Sequence, residues 1–163
     1  MVFKNMLVHP QVVTKAHLAG CAASKQGKFV EYYRAFWEKA FEPYAAARDP
    51  SKLAEEAIMS WAPSVGLDTA KLKADMDSPE CAARIQSDAQ ELAKFQVNST
   101  PTFFVNGIHI GGALPEDGFK QVIDERLKVA KASGVAAAEY YDKEVMAKGV
   151  PQFKAKGHGA EKE

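Results

Sequence analysis

Cysteine is scarce in this chain of 163 residues, which contains only Cys21 and Cys81. Two cysteines are too few for a disulfide-built scaffold, and these two lie too far apart for a metal knuckle. The histidines His9, His17, His109 and His158 form no short-range ligand motif with them or with one another, so no metal site is read. An excess of charge of either sign is also missing: 21 Lys and Arg balance 21 Asp and Glu. That balance gives no support to a nucleic-acid partner or a basic membrane-facing patch. No apolar run approaches the ~20 residues needed to cross a bilayer. The first residues lack the basic start, apolar stretch and small-residue cleavage site of a signal peptide, which leaves the compartment open. No internal repeat is found.

What is present fits a soluble globular domain. Hydrophobic residues make up 47% and charged residues 26%, enough apolar material for a real core in a chain of this length. The opening Val2–Val8 is short, β-prone and mostly apolar, and reads as a strand stopped by His9-Pro10. Gln11 to Gln26 turns helical, with Val12, Ala16, Ala19 and Ala23 at helical spacing and Gly27 at its end. A second helix, about Lys28 to Phe41, carries Phe29, Tyr32, Tyr33, Phe36, Trp37 and Phe41, with Pro43 and Pro50 in the following loop. Ser51 is read as the cap of a third helix and Asp68 as the cap of a short one. Ser78-Pro79-Glu80 reads as cap, first helical proline and acid, opening a helix that ends near Val97-Asn98.

The period then changes. Thr102-Phe103-Phe104-Val105 is a β run, Asn106-Gly107 is a strong two-residue hairpin signal, and Ile108-His109-Ile110 returns. Pro115-Glu116-Asp117 opens a helix to about Ala132, and Gly134 breaks it. A last helix is read over Ala136–Ala147, followed from Gly149 by a polar, lysine-rich tail. The order is strand, four or five helices, hairpin, then one or two helices.

Asn98-Ser99-Thr100-Pro101-Thr102-Phe103-Phe104-Val105-Asn106-Gly107 resembles a hallmark segment of the thioredoxin superfamily. Phe3-Lys4-Asn5 with the His-Pro loop and Ala-rich helix is similar to the second core strand and first inserted helix of the DsbA-like branch. The Gly27-Lys28-Phe29 junction, the Ser78–Val97 helix and the Gly111–Pro115 link into the Phe119-Val122-Ile123 helix extend the similarity over about residues 2 to 131. The resemblance implies an α/β, thioredoxin-like fold with a helical insert at about 11–97 in a domain of residues 1–132, and a C-terminal helix and tail over 133–163. It implies thiol–disulfide oxidoreductase or isomerase activity on the cysteines of protein substrates, without a cofactor, in a bacterial periplasm or cell envelope. It also implies a cis proline at Pro101, with Ser99, Thr100 and Pro101 binding an extended peptide or unfolded protein by strand-like pairing.

The departure from the family is large. Its Cys-x-x-Cys lies on a helix preceding the position of residue 2, where the helix dipole stabilises a thiolate, and neither that helix nor the strand before it is in this sequence. The sheet is therefore expected to be incomplete and the chain catalytically silent. An expression fragment, a misplaced start or a natural shortened relative would each explain this, the first two preferred because a chain rarely opens on a core strand. The exposed edges that result suggest either pairing of residues 2–8 with Thr102–Val105 or a strand-exchanged homodimer. A non-catalytic peptide-binding module and a glutathione-dependent isomerase are the alternative functions.

Individual residues carry competing readings. Pro101 is read as a substrate-loop proline, against a trans proline that merely starts a strand. Cys21, on an Ala-rich stripe, reads as a small hydrophobe. Cys81, in the first turn of a helix, is the candidate reactive thiol, set against a structural role because no nearby cysteine could resolve a mixed disulfide. A Cys21–Cys81 bond is compatible with the sequence and is not fixed by it. Tyr32, Tyr33, Phe36 and Trp37 are read as core or as the lining of a peptide groove. His109 is read as a surface or half-buried residue.

Overall fold

The computed structural model describes residues 1–151. The tail read from Gly149 lies outside them from residue 152. The chain divides into two compact units, Met1–Glu91 and Leu92–Glu163, at a boundary inside a helix.

The first unit is helical. Helix α1, Pro10–Lys25, starts on a proline whose fixed φ suits the first helical position. Its buried stripe is Ala16, Ala19, Gly20, Ala22 and Ala23. Small residues there allow close approach: a Cβ on Gly20 would meet the Tyr32 ring at 3.4 Å. The buried Tyr32 hydroxyl donates to the Ala16 carbonyl at 2.7 Å, so its polar end is satisfied inside the core. Helix α2 spans Phe29–Phe36 and passes into a wide, five-residue π turn at Trp37–Phe41. Helix α3, Glu42–Ala47, holds Pro43 in its first turn. The sequence alone leads one to expect Pro43 in a loop. The chain instead stays helical, because the widened turn accommodates a ring that has no N–H to give and would crowd the carbonyl four residues back.

Ser51 is not a helix cap. The Asp49 carboxylate takes that role, accepting the Ser51 N–H at 3.0 Å and closing a 3₁₀ turn over Pro50–Leu53. Helix α4 is Glu55–Trp61 and α5 is Thr69–Met76. Asp68 caps α5 as read, accepting the Lys71 N–H at 2.9 Å. Helix α6, Pro79–Lys94, begins at the expected proline. The Ser78 hydroxyl, however, donates back to the Asp75 carbonyl at 2.7 Å instead of capping α6. Leu53, Ile58 and Leu72 are fully buried at the centre of the core, with Tyr32, Trp61 and the α1 alanines around them. Each such aliphatic side chain contributes about 1.5–3 kcal/mol by leaving water.

The strand expected over residues 2–8 does not form; that segment is irregular. A β-prone sequence makes a strand only where a ladder partner exists, and here the Asn5 N–H donates to the Asp88 carboxylate at 2.9 Å. Among the described residues the sheet consists of two strands, and residues 2–8 form neither of them.

In the second unit, β1 (Thr102–Val105) and β2 (Ile108–Gly111) pair antiparallel, with Phe103 opposite Ile110 and Val105 opposite Ile108. Asn106 and Gly107 both take positive φ, 45° and 85°, the mirror-image turn that matches strand twist. Helix α7 spans Glu116–Ala132, and the one-turn helix α8, Ala137–Tyr140, runs into a π turn at Tyr141–Met146. The architecture is mostly helical with one small antiparallel sheet.

Candidate functional site

In the second unit the chain turns from α6 into β1 through Ser99, Thr100 and Pro101, all exposed. The Thr100–Pro101 peptide is cis. The Pro101 carbonyl accepts the Gly112 N–H at 2.8 Å, carrying the hairpin pairing one step beyond Thr102. The Thr102 hydroxyl donates to the Ser99 carbonyl at 2.8 Å. Between these two held carbonyls, the amide and carbonyl of Thr100 have no partner among the described residues. Among the described residues, strand β1 pairs on one side only. Its Phe103 and Phe104 are 38% and 46% exposed, on opposite faces of the hairpin. Phe103 meets Phe119 of α7 edge-on at 4.8 Å, and Phe104 meets Phe95 at 5.8 Å. The result is a short ledge of backbone donors and acceptors flanked by aromatic rings. His109 is exposed, with its ring 5.3 Å from that of Phe104.

The first unit holds the cysteines. Cys21 on α1 and Cys81 on α6 form a disulfide, with Cα atoms 5.7 Å apart. Cys81 is therefore not a free thiol as the structure stands. The bond spans 60 residues of sequence and ties α1 to the first turn of α6. Of the aromatic residues considered for a groove, Tyr32 and Phe36 pack into the core, while Tyr33 and Trp37 remain exposed.

A second polar cluster lies in this unit around Asp88. The Asp88 side chain, 2% exposed, accepts the Asn5 N–H and the Asn5 Nδ2–H, the latter at 2.7 Å. Lys4 Nζ stands 3.2 Å from Asp88 and 2.7 Å from Glu91. Burial pushes the Asp88 carboxyl up, but the Asn5 and Lys4 donors outweigh it and hold the group below the usual carboxylate range. Asn5 Oδ1 lies 2.9 Å from His17 Nδ1. Because the Asn5 amide nitrogen is committed to Asp88, its oxygen must accept, so His17 carries its proton on Nδ1. Burial lowers the His17 pKa. The available signal was an acid on the apolar stripe Cys81, Ile85, Asp88: a charge at that position must be paired.

The described residues hold no group of three or more His, Cys, Asp or Glu placed to bind a metal ion, and no described helix is long and apolar enough to cross a membrane. A stretch of 61 residues is 34% identical to part of the Na(+)/H(+) antiporter NhaA of Herminiimonas arsenicoxydans, taking in 37% of this chain and 10% of that protein. The chain thus covers about a tenth of the length of that relative. No solved structure matches it. The model of the DSBA-like thioredoxin domain matches residues 5–124, the span that contains the helical insert, the Ser99–Pro101 turn, the hairpin and the start of α7. The chain therefore belongs to the DSBA-like thioredoxin domain family, with a helical insert and an incomplete sheet among its described residues.

Proposed function

We propose that this chain supplies the scaffold and substrate-holding ledge of a thiol–disulfide oxidoreductase acting on cysteines of protein substrates, and that it does not turn substrate over by itself. The observation that carries this reading is the exposed Thr100, whose backbone N–H and carbonyl have no partner among the described residues, at the head of a strand with one ladder partner among them. An extended peptide laid there gains main-chain hydrogen bonds, and the flanking Phe103 and Phe104 offer apolar contact to its side chains. Exchange chemistry needs an attacking thiolate and a second thiol to resolve the mixed disulfide. The sequence has no Cys-x-x-Cys, and its two cysteines are closed on each other. In an insulin-reduction assay with a dithiol reductant, the expected rate is that of the reductant alone. Turnover comparable to an intact oxidoreductase overturns the reading.

A non-catalytic peptide-binding module is the second reading, favoured by the closure of both cysteines in one bond. On this reading, capture of an unfolded, carboxymethylated protein proceeds equally well with both cysteines replaced in a folded variant. The same open strand edge supports a homodimer by strand exchange, in which a second copy covers β1. Sedimentation equilibrium should then show mass rising toward the dimer with concentration, and monomer alone at high concentration removes this part of the proposal.

A further inference from the structure

We propose that the Cys21–Cys81 disulfide is an exchange site for low-molecular-weight thiols, attacked at Cys21 and opened by departure of Cys81 as the thiolate. Access separates the two sulfurs. Cys21 is half-buried at the α1 surface, whereas Cys81 is 0% exposed. An incoming thiolate must approach along the line of the bond it breaks, and Cys21 is the less buried of the two ends. The leaving end is suited to its role. Cys81 lies in the first turn of α6, where unpaired backbone N–H groups favour negative charge and a better leaving thiolate. The neighbouring Glu80 and Asp75 carboxylates oppose this, but Lys25, one turn beyond Cys21 on α1, pairs with both at 2.7 and 2.8 Å.

The step balances. A thiolate RS⁻ forms an S–S bond to Cys21, the Cys21–Cys81 bond breaks, and Cys81 takes the electron pair. A second RS⁻ attacking the mixed disulfide releases RSSR and leaves the Cys21 thiolate, a two-electron reduction with the small thiol as reductant.

Opening has a local consequence. Helix α6 contributes no side chain to the main core, and beyond Cys81 it buries only Ile85 and Asp88. The bond is thus the covalent tie of its N-terminal half to α1, and losing it loosens that half while the core around Leu53, Ile58 and Leu72 stays closed.

The test uses the folded, oxidised chain in excess reduced glutathione at mildly alkaline pH, acid-quenched, alkylated and mapped by peptide mass spectrometry. The glutathione adduct is expected on Cys21 over Cys81 by about tenfold or more, with the alkyl label on Cys81. In fully reduced protein, amide exchange over residues 82–88 should accelerate about tenfold or more, with residues 72–76 of α5 unchanged. An adduct mainly on Cys81, no adduct short of denaturing urea, or exchange rising equally in α5 and α6 overturns the proposal. None of these readouts depends on a substituted chain folding, and none is decided by the insulin assay.

Discussion

Replacing Cys21 and Cys81 together by alanine is expected to cost about 4 kcal/mol of stability and to lower the unfolding midpoint by about 10 °C. The two residues are 60 apart in sequence. Cross-linking so long a loop removes many conformations from the unfolded chain, and the chain-entropy relation gives about 4 kcal/mol for a loop of this size. The small cavity left at the fully buried Cys81 adds to the loss. The double replacement avoids a lone thiol and therefore isolates the cross-link. Urea or thermal unfolding of the oxidised parent against the variant measures the effect, and the parent in strong reductant should approach the variant. A difference below about 1 kcal/mol would mean that the bond does not constrain the unfolded chain.

Asp88→Ala is expected to cost about 3 kcal/mol, reached by a different route. The substitution strands the half-buried Asn5 N–H and Nδ2–H that now donate to the carboxylate. It also removes one of two carboxylates from Lys4, a smaller loss because Lys4 is a third exposed and keeps Glu91. Protection of the Asn5 amide against hydrogen exchange should fall with it. The pH dependence has a definite sign. A carboxyl held below its ordinary value in the folded state contributes stability that is complete above the unfolded value, about pH 4, and is lost as pH falls through the folded value. Midpoints measured from neutral pH downward should therefore drop more steeply below about pH 4 in the parent than in Asp88→Asn. Parallel curves would remove Asp88 from the acid response.

The legible parts of this fold were those set by local chemistry. Asp68 capping α5, Pro79 opening α6 and Asn106-Gly107 turning the hairpin all act within a few residues of themselves. The Asn98–Gly107 segment was legible for the same reason, and it pointed to the family whose domain spans residues 5–124. What escaped depends on distant partners. Val2–Val8 has strand-like composition, yet its Asn5 amide pairs with a side chain 83 residues away. Nothing near Cys21 announces Cys81, because a disulfide is decided by how two helices meet. Ser51 lost its expected role to Asp49, two residues earlier, whose longer-reaching carboxylate is the better acceptor at that corner.

The exposed hairpin carries one further implication. From Leu92 to residue 151, Ile110 is the only buried hydrophobic side chain among the described residues. A segment that withdraws so little apolar surface from water has almost no free energy of its own to set against chain entropy. Its order is then thermodynamically linked to occupancy. Whatever caps β1 and the apolar side of α7 raises the ordered fraction as its concentration rises, and the apparent affinity for that occupant already includes the cost of organising the segment that receives it.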